Sequence, residues 1–103
     1  MLEIKLEKSF KKDIARDKGS GKYSIDDFDL LKRIIILLQK QEEIDSKFKR
    51  HSLKGEMKDW ESIHIKNNWL LIFRVDSKYL NLLMLGKHTQ VYKKFGSSGF
   101  PMD

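Results

Sequence analysis

The chain has 103 residues, 40% of them hydrophobic, which suits one domain with one core. There is no cysteine, which excludes a disulfide framework and a thiolate metal site. Lys and Arg number 21 against 15 Asp and Glu, a formal net charge of +6; such a chain attracts nucleic acid, membrane surfaces or acidic proteins, and equally the charge serves solubility alone.

The N-terminal stretch MLEIKLEKSFKKD lacks the apolar region of a signal peptide, and IIILL and WLLIF are too short to span a bilayer. Together with the missing cysteines this suits the cytoplasm. Leu2-Glu3-Ile4-Lys5-Leu6 alternates apolar and polar residues, which predicts a half-buried strand with Leu2, Ile4 and Leu6 inward. Ser9 is a candidate N-cap for a surface helix over 10–18 in which Phe10 and Ile14 share a face. Gly19-Ser20-Gly21 breaks it. Ser24 with Asp27 three residues on has the spacing of a capping box, and Asp26, Asp27 and Asp29 suit the positive end of a helix dipole. Phe28, Leu31, Ile35 and Leu38, widened by Leu30, Ile34 and Leu37, mark the main core helix over 25–40.

Residues 42–50 read as a polar connection pinned by Ile44 and Phe48. His51 opens the most informative stretch, starting with a short strand and turn over 52–55. Residues 60–66 alternate, with Ile63 and Ile65 on one side and Trp60, Ser62 and His64 on the other. Asn67-Asn68 is a hairpin turn. Residues 69–75 are apolar on both faces, as a central strand requires. Leu70, Ile72 and Arg74 share one face, and the bulkier Trp69, Leu71, Phe73 and Val75 take the helix side. A turn at 76–78 leads to a last strand over 79–85, ended by Gly86. Residues 88–95 form a short terminal helix or arm, and 96–103 read as a loose tail outside a domain of residues 1–95. The order β-α-α-β-β-β predicts an α+β fold, with two helices on one face of a mostly antiparallel sheet. The other face is expected to lie open, with histidines around it.

All three histidines, His51, His64 and His88, lie at ends of the predicted strands. Their spacing fits no short metal-ligand motif, there is no HExxH, and neither a phosphate-binding glycine loop nor a nucleophile elbow is present. Acid–base work fits them better, because histidine exchanges protons near neutral pH. RNA cleavage by its own 2′-hydroxyl needs such groups and no metal. Lys54, Lys58, Lys66 and Lys87 surround the histidines in sequence and suit phosphates, and Trp60 and Tyr92 suit base stacking. Taken singly, each histidine is more often an ordinary hydrogen-bonded residue, and a strand tryptophan such as Trp69 is more often core.

HSLKG, then WESIHIKNNWLLIFRV, then LxLGKHxxxY resembles the YafQ branch of the RelE-type bacterial toxins. Several motifs recur there in order and spacing between His51 and Tyr92. The resemblance implies a RelE-like fold and the toxin of a type II toxin–antitoxin system. It implies a metal-independent endoribonuclease (mRNA interferase), without cofactor, that cuts mRNA at the ribosome and is neutralised by a cognate antitoxin. Operator DNA would be met only through the antitoxin complex, and no membrane is involved. Carried over by residue, His51, His64 and His88 match the family's functional histidines. Asn68 stands where many members have Asp, and Tyr92 takes the place of a terminal aromatic, usually Phe. Trp69 matches the family's Trp and joins Lys54, Lys58, Lys66, Arg74 and Lys87 as candidate RNA-binding residues. Met84 stands where many members have Arg. On strand parity Arg74 is a candidate to replace that lost cation, against the plainer reading of a salt bridge with Asp76. The two departures leave one alternative, a catalytically weakened homologue that binds antitoxin and regulates its operator.

Overall fold

The fold is described here from a computed structural model covering residues 1–95, the side chain of Phe95 excepted; the segment read as a tail, 96–103, lies outside the described residues. The elements are β1 (Glu3–Leu6), α1 (Lys8–Ser20), α2 (Ile25–Gln39), β2 (His51–Ser52), β3 (Glu61–Lys66), β4 (Trp69–Val75), β5 (Tyr79–Gly86) and α3 (His88–Phe95), with short 3-10 turns at Ser46–Phe48 and Gly55–Met57. The strands form one sheet in the order β1-β5-β4-β3-β2. β1 runs parallel to β5, and the remaining pairs are antiparallel. This is the expected α+β arrangement, with β4 in the middle.

β4 is buried on both sides because its side chains alternate between two apolar layers. Trp69, Leu71 and Phe73 pack with Ile63, Ile65, Leu80 and Leu82 against Phe10, Leu31, Ile34 and Leu38 of the two long helices. Leu70 and Ile72 face the other way, where they meet Leu53, Met84 and Val91, with Met57, Trp60 and Tyr92 at the margin. The second face is therefore not open, as the sequence suggested: α3 and the segment before β3 cover much of it. Leaving Leu70 and Ile72 in water would cost about 1.5–3 kcal/mol each, and Val91 of α3 supplies the cover.

Two details at the N-terminus also differ from expectation. Leu2 is buried, but Ile4 and Leu6 are 42% and 43% exposed, because β1 is the edge strand and lies at the rim of the helix layer. Ser9 is not the cap of α1; Glu7 holds that position, and the Ser9 hydroxyl donates instead to the carbonyl of Leu83. Leu83 is the extra residue where Ile72 pairs with Met84 and Phe73 with Leu82, so α1 occupies a backbone group at a bulge.

The start of α2 is as expected. Ser24 Oγ accepts the Asp27 N–H at 3.1 Å, and Asp27 Oδ2 accepts the Ser24 N–H at 2.9 Å. That Ser24 N–H is the main reason the Asp27 carboxyl is held below its usual 3.8, with Lys66 adding to it. Ser24→Ala should cost about 1 kcal/mol, read as a shift in the urea midpoint. The Asp27 contribution should be complete above pH 3.8 and fade as pH falls through the lower folded value. Asp27→Asn should therefore flatten stability against pH in that acid range; an unchanged acid limb would show that the cap carries no such linkage.

A histidine row at the hairpin end of the sheet

The three histidines come from three separated segments and meet in one row on the second face of the sheet. His51 begins β2 and pairs across to Ser62 of β3. His64 lies two residues further along β3, opposite Leu70, and is 7% exposed. His88 begins α3. The His51 and His64 ring centres are 6.2 Å apart, those of His64 and His88 5.2 Å, and Tyr92 lies 6.3 Å beyond His88. Tyr92 reaches this place because it is one helical turn after His88.

Hydrogen bonds fix the ring orientations. Lys49 has a left-handed backbone, φ 51°, and its carbonyl lies 2.8 Å from His51 Nδ1. A carbonyl only accepts, so His51 carries its proton on Nδ1, and the lone pair of the neutral ring is on Nε2. Asn68 Oδ1 accepts the backbone N–H of His88 at 2.9 Å and lies 2.7 Å from His88 Nδ1. The backbone donor identifies that amide atom as oxygen, so His88 also carries Nδ1–H and directs Nε2 at His64 Nε2, 3.3 Å away. When both rings are neutral, the proton between them belongs to His64. Asn68 and Tyr92 thus lie beside the histidines.

The turn at Asn67 and Asn68 separates two basic recesses. One, of about 290 Å³, is lined by Lys47, Phe48, Lys49, His64, Lys66 and Asn67. The other, of about 330 Å³, is lined by Lys22, Tyr23, Lys66, Asn68 and Lys87 among others. Lys66 borders both and pairs with Asp27 at 3.1 Å. Lys66 and Lys87 were anticipated; Lys22, Lys47 and Lys49 were not. The run Lys47-Phe48-Lys49-Arg50 directly before His51 was a legible signal, a basic run with an aromatic inside it, read only as a connection.

Other predicted residues lie elsewhere. Trp69 is fully buried on the helix side, stacked on Tyr23 at 4.2 Å, with its indole N–H on Asp17. It is core and presents no face to RNA, as strand parity requires. Arg74 does share the histidines' face, but its guanidinium lies 4.6 Å from the Trp60 ring centre. It stands four residues along β4 from Leu70, the partner of His64, or about 13 Å. Its guanidinium is engaged by Trp60, toward the end of β4 away from the Asn67–Asn68 turn. Asp76 is held low first by the Tyr79 N–H, with Arg74 only a later contributor. Met84 is 4% exposed inside the second apolar cluster, so its position has been turned over to packing. Lys54 and Lys58 are exposed around the Gly55–Met57 turn rather than in the histidine row.

The family described as "Bacterial toxin of type II toxin-antitoxin system, YafQ" matches residues 2–93. The chain belongs to the YafQ toxin family. Among solved structures, a copper-bound mutant toxin from Helicobacter pylori is 35% identical, with a TM-score of 0.80 over 88% of this chain and 99% of that one. A metal-bound toxin from the same organism is 30% identical, TM-score 0.78, over 88% and 99%. YafQ in the E. coli DinJ-YafQ complex is 24% identical, TM-score 0.78, over 89% and 99%, which shows the shared RelE-like fold. A comparison with curated protein sequences finds no match. Among the described residues, no helix is long and apolar enough to cross a membrane, and no three His, Cys, Asp or Glu side chains are grouped to hold a metal ion.

The hydrogen bonds make a spectroscopic prediction for this YafQ-family chain. Long-range proton–nitrogen NMR above the histidine titration range should show His51 and His88 as Nδ1–H tautomers. Asn68→Ala should mix the His88 tautomers and leave His51 unchanged; a uniform Nε2–H tautomer at His88 in the parent would contradict the assignment.

Proposed function

We propose that the chain is the toxin of a type II toxin–antitoxin pair and acts as a metal-independent endoribonuclease on mRNA at the ribosome, in the cytoplasm. The observation that carries this reading is the histidine row, with its rings oriented by Lys49 and Asn68 and basic recesses on either side. Members of the YafQ family act in general as endoribonucleases, and the row suits that chemistry. His51 Nε2, a lone pair in the neutral ring, takes the 2′-hydroxyl proton as general base. The 2′-oxygen attacks phosphorus and the bond to the 5′-oxygen breaks. His88, at the far end of the row and protonated on Nε2, gives its proton to that departing oxygen. His64 lies between them, and its Nε2, 3.3 Å from His88 Nε2, accepts from that imidazolium and keeps the ring in line until the departing oxygen takes the proton. Lys47, Lys49, Lys66 and Lys87 hold the flanking phosphates. The +6 charge favours an acidic antitoxin, and E. coli YafQ has been crystallised with DinJ.

A second reading, a weakened toxin that chiefly binds antitoxin and acts at the operator through it, is favoured by Met84. The position that carries Arg in many members is here buried and apolar, so the phosphorane has one cation fewer.

Purified ribosomes with mRNA separate the two. The parent protein should cut mRNA with EDTA present, and His51→Ala and His88→Ala should each lower the rate by about 10²–10⁴ without loss of fold. Absence of cleavage by the parent, while a small acidic neighbour-encoded protein still binds it tightly, would select the second reading. For the recesses, Lys47→Ala with Lys49→Ala should raise KM and reduce its salt dependence by about two counterions; an unchanged salt slope would remove these lysines from the RNA path.

A further inference from the structure

Away from the histidines, Asp17 is a buried carboxylate, only 6% exposed. Its carboxylate accepts from Arg16 Nε at 2.9 Å, from Arg16 Nη2 at 3.1 Å and from Trp69 Nε1 at 2.9 Å. A carboxylate this deep is tolerated only when paired and hydrogen-bonded, and three N–H groups meet that condition. The guanidinium continues outward. Arg16 Nη2 donates to the Leu85 carbonyl at 2.8 Å, and Arg16 Nη1 to Asp13 at 3.0 Å. The other Asp13 oxygen accepts the Leu85 N–H at 3.0 Å.

One ion pair on α1 therefore grips two strand ends. Trp69 is the first residue of β4, and Asn68 directly precedes it. Leu85 is next to last in β5, and His88 follows three residues later. The intervening segment has little slack: a Cβ on Gly86 would lie 2.8 Å from Gln90 Oε1 and 3.6 Å from Arg16 Nη2. Gln90 Oε1 in turn accepts the Lys87 N–H at 2.8 Å. Asn68 and His88 come from opposite sides of this clamp, and their hydrogen bonds of 2.7 and 2.9 Å depend on both backbones being held within tenths of an ångström.

We infer that Asp17 is a positioning residue for the Asn68–His88 pair, acting through Trp69 on one side and through Arg16 and Leu85 on the other. It touches neither RNA nor a reacting atom. The inference rests on the ribonuclease reading only where activity is concerned, so its first measurement needs no RNA.

Trp69→Phe removes the indole N–H and keeps a large apolar ring; Asp17→Asn removes the charge at constant size. In each variant, long-range proton–nitrogen NMR should show His88 passing from one tautomer to a mixture, while His51, outside the clamp, keeps its spectrum. In the ribosome assay kcat should fall by about 10–100-fold with KM unchanged, and the double variant should be no slower than the slower single one. If Asp17→Asn does not fold, Trp69→Phe reads the same contact alone. Unchanged His88 signals in a folded but less stable Trp69→Phe would overturn the inference and leave Asp17 a stabilising residue only. A shifted His88 tautomer in a protein whose parent cuts no RNA would uphold the positioning role and sink the ribonuclease reading instead.

Discussion

β4 is covered on both faces, and most of the architecture answers to that requirement. The first five of its residues, 69–73, alternate between two apolar layers. One layer needs the long helices, which come first in the chain; the other needs α3, which comes last. The turn before β4 lies at the end of the sheet where both layers stop. A polar side chain there can reach groups from either end of the sequence, and Asn68 reaches His88. The site is thus a product of where the core ends.

Each histidine in the row has a different neighbour: a carbonyl for His51, a second imidazole for His64 and an amide for His88. These three contacts set the directions in which the rings point. The Asp17 carboxylate lies on the other side of the sheet, paired with Arg16. That buried negative charge sits in the helix-side layer, and lysines line the recesses beside the histidines.

Much of this was legible in the sequence because period and parity are local properties. The α2 stripe, the capping box at Ser24, the two-faced character of residues 69–75 and the side on which His64 projects all follow from spacing alone. Burial at an edge does not: Ile4 and Leu6 alternate correctly, yet strand position in the sheet decides their exposure. Parity also says which face Arg74 occupies but not what it meets there, and its guanidinium lies over the Trp60 ring. The role of Asp17 was hidden for a similar reason. In sequence it is one charge among many on a polar helix, and only the pairing of α1 with the ends of β4 and β5 shows it buried.

The parallel pairing of β1 with β5 joins Glu3 to Tyr79 and Leu6 to Leu82. An emerging chain has no partner for its first strand until more than seventy further residues have been made, and such distant closures are slow. His88 follows β5, so the histidine row is completed in the same late step as the sheet. A chain made only as far as β4 holds the sequence of both long helices but lacks the β5 and His88 that the row requires. In a protein of this topology the histidine row and the closed sheet are products of one event, and neither precedes the other.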